Sequence, residues 1–155
     1  MKQSFCIISL VFLSCLSLAS QESKSDFETK SNEFGIHAGF STALGLSYRH
    51  WFSNNGVQLT FLPIFADDLT FVSGGFTILH SFKESKYFRF YGYLGNHLLY
   101  NTEAEYETQY NLGIGPGFAF GKTVRFNLMV GYGLYDVFNR LNMLPTGEMG
   151  LYFCF

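Results

Sequence analysis

The stretch "NLGIGPGFAFGKTVRFNLMVGYG", Asn111 to Gly133, holds two runs of alternating residues either side of "GKT". Period two indicates strands, and a short Gly-containing connection between two such runs indicates a hairpin. A three-residue loop containing Gly121 pairs Phe120 with Val124 and Phe118 with Phe126. It pairs Pro116 with Leu128 and Ile114 with Val130. One face of the ribbon is then large and apolar. The other carries Asn111, Gly113, Gly115, Gly117 and Ala119 against Arg125, Asn127, Met129, Gly131 and Gly133. A water-soluble sandwich encloses its bulky apolar face and coats itself with polar groups. A face of glycine, polar groups and Arg makes a poor coat, but it suits the tight interior of a small barrel whose apolar side meets lipid.

The same reading extends along the chain, with eight strands near 33–41, 43–53, 57–66, 69–82, 87–100, 108–120, 124–137 and 146–155. "SNNG" places Asn55-Gly56 in a two-residue turn. Phe52 then faces Leu59, His50 faces Phe61 and Tyr48 faces Pro63. The apolar residues Leu44, Leu46, Tyr48 and Phe52 share a face with Val57, Leu59, Phe61 and Phe65, leaving Ser47 and Arg49 opposite Gln58 and Thr60. Pro63 and Pro116 each remove a ladder hydrogen bond, so a local bulge or kink is expected at both. An open sheet edge is not viable in hydrocarbon, so the sheet must close. The fold class is therefore all-β, an eight-stranded antiparallel up-and-down transmembrane barrel.

Composition agrees. The 155 residues include 19 Phe and 16 Gly, and only 14% are charged, with 10 basic against 12 acidic. That balance gives no basic footprint for nucleic acid. Lys2 followed by "FCIISLVFLSCLSLA", with small Ser17 and Ala19, reads as a signal peptide over 1–20. "FLSC" also resembles a bacterial lipobox ending at Cys15, although Phe12 stands where Leu is usual. Residues 21–32 form a polar periplasmic lead-in, and 33–155 form the barrel. Cleavage leaves Cys154 as the single thiol, hence no disulfide framework.

With both chain ends on the periplasmic side, the periplasmic turns fall at "NNG", "KESK" and "GKT". The outward loops fall at "ST", "ADD", "NTEAEYET" and "FNRLNMLPTG". The closing residues "GEMGLYFCF" resemble the outer-membrane assembly signal of Gram-negative barrels through Glu148, Gly150, Phe153 and Phe155. The chain as a whole resembles small eight-stranded barrels of the OmpA and OmpX type in architecture. That resemblance implies residence in the outer membrane of a Gram-negative-type bacterium. It implies contact with outer-membrane lipid, and with periplasmic chaperones and the barrel-assembly machinery during biogenesis.

No catalytic, metal or cofactor signature appears: there is no G-x-S-x-G, H-E-x-x-H or paired Cys motif. His37 and His97 point inward, and His50 and His80 lie outside near periplasmic turns. A lipid A-modifying enzyme would need Ser, His and a carboxylate together on the lipid side near the outer leaflet, a set the alternation does not assemble. A narrow pore is the third reading, but Tyr91, Tyr93, Tyr135, Tyr152, Met129 and the Arg residues suffice to fill an eight-stranded lumen. Glu103, Glu105 and Glu107 read as a solvated loop tip, or more sharply as a divalent-cation or extracellular contact.

Arg49, Arg89 and Arg125 face inward. Arg89 and Arg125 sit about 5 Å and Arg49 about 10 Å above the periplasmic rim, with Glu148 about 17 Å up and Glu33 at the rim. Buried cations need partners. Arg49 is expected to reach Glu148, while Arg89 and Arg125 use Glu33 or the lead-in acids Glu22, Asp26 and Glu28.

Overall fold

The structure, a computed structural model, describes residues 32–67, 69–104 and 108–155. The signal peptide, Cys15, the acids at 22, 26 and 28, and Glu105 and Glu107 lie outside the described residues. Eight strands follow one another: β1 Asn32–Ala38, β2 Leu44–Phe52, β3 Asn55–Phe65, β4 Thr70–Ser85, β5 Phe88–Asn101, β6 Thr108–Phe120, β7 Val124–Tyr135 and β8 Asn142–Cys154. Each pairs antiparallel with the next, and β8 returns to β1, so the sheet is a closed barrel. The Asn32 N–H donates to Phe155 O at 3.3 Å and the Phe155 N–H to Asn32 O at 2.9 Å. Closure gives each strand two neighbours and leaves no sheet edge to solvate.

The alternation of the sequence becomes the wall of the barrel. Phe34, Ile36, Leu46, Leu59, Phe61, Ile114, Phe126 and Leu151 are all exposed. Their neighbours Glu33, Ser47, Arg49, Gln58, Thr60, Asn127, Glu148 and Tyr152 are buried. The polar face is inside and the apolar face outside.

Several expected boundaries and registers move. The β2–β3 turn is Ser53-Asn54, not Asn55-Gly56, so Phe52 pairs with Asn55, His50 with Val57 and Tyr48 with Leu59. Ser53 takes the positive φ of 57° that this turn demands. Gly56 serves packing instead: a Cβ there would come within 2.8 Å of the Trp51 ring, its cross-strand partner. In the β6–β7 hairpin Phe120 pairs with Phe126 and Phe118 with Leu128, two residues beyond the expected partners. An even displacement keeps every side chain on its face, so the hydrophobic pattern could not tell these registers apart.

The turn expected at "KESK" falls on Lys86-Tyr87, because a bulge between Ser81 and Lys83 carries β4 on to Ser85. At the other end β8 begins at Asn142, shortening the loop before it, and Asn32 belongs to β1 rather than the lead-in. Pro116 coincides with a gap in the β6–β7 ladder between Ile114 and Gly117. Pro63 needs no bulge. It pairs with Val72 of β4, beyond the last β2–β3 pair at Leu46 and Phe61, where its missing N–H has no partner to lose.

The largest departure is the connection after β1. The alternation predicts a tight outward "ST" loop, but Ser41, Thr42 and Ala43 turn back into the barrel and are fully buried, while Phe40 before them stays exposed.

Candidate functional site

The interior is arranged in tiers. The lowest, beside the turns and the chain ends, is built around Glu33. The ladder sets Glu33 of β1 against Arg49 of β2, and Arg49 against Gln58 of β3. Arg49 Nη1 lies 3.2 Å from Glu33 Oε2. Arg125 Nη1 and Arg89 Nη1 lie 2.6 and 3.4 Å from Glu33 Oε1. Trp51 Nε1 donates to the same carboxylate at 3.2 Å. Arg89 also bridges to Glu84. The remaining donors of Arg49 go to Gln58 Oε1 at 2.6 Å and Asn127 Oδ1 at 2.7 Å. Among the described residues, two carboxylates thus face three guanidiniums. The surplus charge is met by aromatic faces, with Arg49 4.4 Å from the Tyr152 ring and Arg89 3.9 Å from that of Trp51.

Arg49 does not pair with Glu148. Glu33 stands beside Cys154 across β1–β8, and Glu148 precedes Cys154 by six positions (154 − 148), about 20 Å along the strand. The β2–β3 turn at Ser53-Asn54 sets Arg49 two residues nearer the turn end than a turn at Asn55-Gly56 would, level with Glu33.

An apolar and aromatic cluster adjoins the lowest tier and overlaps it, since Trp51 donates to Glu33 and Ala119 pairs with Arg89. Trp51, Leu79, Tyr91, Tyr93, Ala119 and Met129 form one buried cluster across the lumen.

The upper tier is the inturned loop and the groups that hold it. Glu148 accepts from the Ser41 amide at 3.2 Å, from the hydroxyls of Ser41 and Thr42, and from Thr146 Oγ1 at 3.2 Å. His37 Nε2 lies 2.7 Å from Thr42 Oγ1 and 3.5 Å from Glu148 Oε2. On the opposite wall, Phe40 O accepts from His97 Nδ1 at 2.8 Å and Asn111 Nδ2 at 3.0 Å. A carbonyl can only accept, so Nδ1 carries the proton in the neutral ring and Nε2 accepts from Ser73 Oγ at 2.9 Å. Ser73 Oγ in turn accepts the Leu44 amide at 2.9 Å. The loop has room because Gly75, Gly95 and Gly113 face it: a Cβ there would meet Ala43, Thr42 and Ser41, respectively. Ala43 leaves the loop at a φ of 80°, a conformation costly for a residue with a Cβ, which the surrounding bonds maintain.

Of the residues singled out from sequence, Glu33, Arg49, Arg89 and Arg125 therefore meet in one cluster, and Glu148 belongs to a separate one. His37 and His97 are buried, whereas His50 and His80 sit on the outer wall, 2.7 and 2.8 Å from the side chains of Asn32 and Asn55. Glu103 is exposed, its amide bonded to Asn101 Oδ1 at 3.0 Å. Phe153 and Phe155 are exposed on the outer wall with their rings 6.5 Å apart, and Gly150 lines the lumen beside His37. Sequence reasoning missed Ser41, Thr42 and Ser73, and the loop they belong to or hold.

No protein-family profile matches the chain, and no curated protein matches it. Among solved structures, the N-terminal β-barrel domain of Pseudomonas aeruginosa OprF aligns over 79% of this chain and 95% of its own, at 16% identity and a TM-score of 0.46. The described residues form an eight-stranded up-and-down antiparallel barrel with polar and aromatic side chains buried inside it.

Proposed function

We propose that the protein is a small outer-membrane β-barrel of a Gram-negative-type bacterium, with a closed polar lumen and a structural or surface-interaction role. The observation that carries this reading is the apolar outer wall, on which a closed sheet exposes Phe, Leu, Ile and Val all round while enclosing Glu33, Arg49, Arg89, Arg125 and Glu148. Such a wall is solvated by hydrocarbon rather than water. In this reading the short turns and the chain ends face the periplasm and the longer loops face outward. Phe155 and Phe153 are offered to the assembly machinery before they settle at the lower rim. Filled lumen tiers favour a closed molecule over a pore. The Ser73–His97 pair, both residues buried, is occupied in holding the inturned loop, which favours a structural use over catalysis.

The test is envelope fractionation together with gel mobility. The protein is expected in the outer-membrane fraction, with different migration before and after boiling. Recovery as a soluble periplasmic monomer contradicts the proposal. Large, stable conductance steps of the purified protein in a planar bilayer would contradict the closed lumen alone.

A further inference from the structure

Strand β4 contains an irregularity that the barrel itself does not require. Ser81 pairs with Tyr91, and the next pair is Lys83 with Phe90. Ser81 is buried and Glu84 reaches Arg89 in the lumen, so both point inward. Between them Phe82 and Lys83 are both exposed on the outer wall. A bulge commonly serves to re-aim a side chain. Here it sets a lysine on the largely apolar outer face.

The surroundings of Lys83 are aromatic. The Phe82 and Phe90 rings are 5.5 Å apart, Phe90 and Phe118 5.2 Å, and Phe88 and Phe120 5.3 Å. These rings form a continuous shelf on the outside of β4, β5 and β6. Below it lie the two turns. Lys86 Nζ stands 5.3 Å from the Tyr87 ring, and Tyr87 O accepts the Gly121 amide at 2.9 Å, which places Lys122 on the adjoining turn. Lys83, Lys86 and Lys122 are all exposed, and none makes an ion pair among the described residues. Among the described residues, the carboxylate in this corner, Glu84, is turned inward and taken by Arg89.

The geometry points to a binding site for an anionic glycerophospholipid of the periplasmic leaflet. Its acyl chain lies on the phenylalanine shelf, and its headgroup phosphate is held by Lys83 and Lys122 with Lys86 beside them. A lysine ammonium suits a phosphate as a compact point charge. A free phosphate or a soluble anion would have no use for the shelf, whereas an amphiphile matches both halves. This site rests on the membrane reading above, because only there does the shelf meet acyl chains.

The experiment uses full-length protein refolded into vesicles, then transferred to mixed micelles of phosphatidylglycerol and phosphatidylcholine in equal amounts. Native mass spectrometry reads the lipids that stay bound. Wild-type protein should retain phosphatidylglycerol in preference, by about fivefold for each lysine engaged. The Lys83→Gln/Lys122→Gln variant should lose that preference while still showing heat-dependent gel mobility, and Lys83→Arg should keep it. Equal retention of both lipids by the wild type, or an unchanged preference in the double variant, would mean the lysines merely extend into water and would overturn the site alone. Failure to enter vesicles of either composition would overturn the membrane reading and the site with it.

Discussion

Glu33 and Arg49 face each other across the β1–β2 ladder, with Arg49 Nη1 3.2 Å from Glu33 Oε2 and both side chains closed off from solvent. One carboxylate here anchors parts of three guanidiniums. Removing it strands buried cations, so Glu33→Ala should destabilise the folded barrel by about 3–5 kcal/mol. A double-mutant cycle with Arg49→Met, read by urea unfolding in lipid vesicles, should show coupling of about 0.5–3 kcal/mol. The same cycle between Glu148 and Arg49 should be additive to within about 0.5 kcal/mol. Coupling at 148 in place of 33 would contradict the two-cluster interior.

Glu148 holds the inturned loop through the Ser41 amide and two hydroxyls. Glu148→Ala should free that amide, lowering its local protection by about 1–3 kcal/mol in hydrogen exchange while Tyr91 and Met129 stay protected. Uniform loss of protection along all strands would show that Glu148 supports the whole barrel and not the loop.

Space matters there as much as bonding. A Cβ at Gly95 would stand 2.6 Å from Thr42 Cγ2 and 2.7 Å from Thr77 Oγ1. Gly95→Ala should therefore cost about 1–3 kcal/mol by overpacking. Gly147, with nothing within 4 Å of such a Cβ, is the control and should tolerate alanine far better. Equal costs in thermal unfolding would contradict the loop's position.

Much of this barrel is legible in its sequence, for an identifiable reason. Which residues face in and which face out depends only on parity along each strand, and parity survives even displacements of a turn. Alternation therefore predicts Arg49, Gln58, Arg125 and Tyr152 inward, and all four are buried although two hairpin registers differ from the expected ones. Height along the axis has no such protection, and the two-residue error at Ser53-Asn54 led Arg49 to the wrong carboxylate. The inturned loop left almost no trace. "GFSTA" has no period, and its partners Ser73, His97, Asn111 and Glu148 become neighbours only once the sheet closes. The bulge left no trace either: strict alternation after Ser81 would turn Lys83 inward and Glu84 outward, and the structure reverses both.

The seam of the barrel offers a prediction about assembly. Phe155 contributes two backbone bonds to Asn32 and an exposed ring. Deleting Phe155 removes both features, whereas Phe155→Ala removes only the ring. If the assembly machinery reads the ring, both variants should lower the yield of inserted protein in membrane fractions. A defect in the deletion alone would assign the effect to the seam.

In the proposed outer-membrane barrel the apolar wall meets lipid and the polar wall does not. Trp51, the single tryptophan of the chain, lies inside the lumen and is 4% exposed, whereas Phe126 on the outer wall is 45% exposed. Fluorescence quenching in vesicles of brominated phosphatidylcholine compares the two positions directly, using the native Trp51 and a Trp51→Phe/Phe126→Trp variant. Strong quenching at position 126 and weak quenching at 51 is the predicted result. Comparable quenching at both, or a stronger effect at Trp51, would contradict the inside-out barrel.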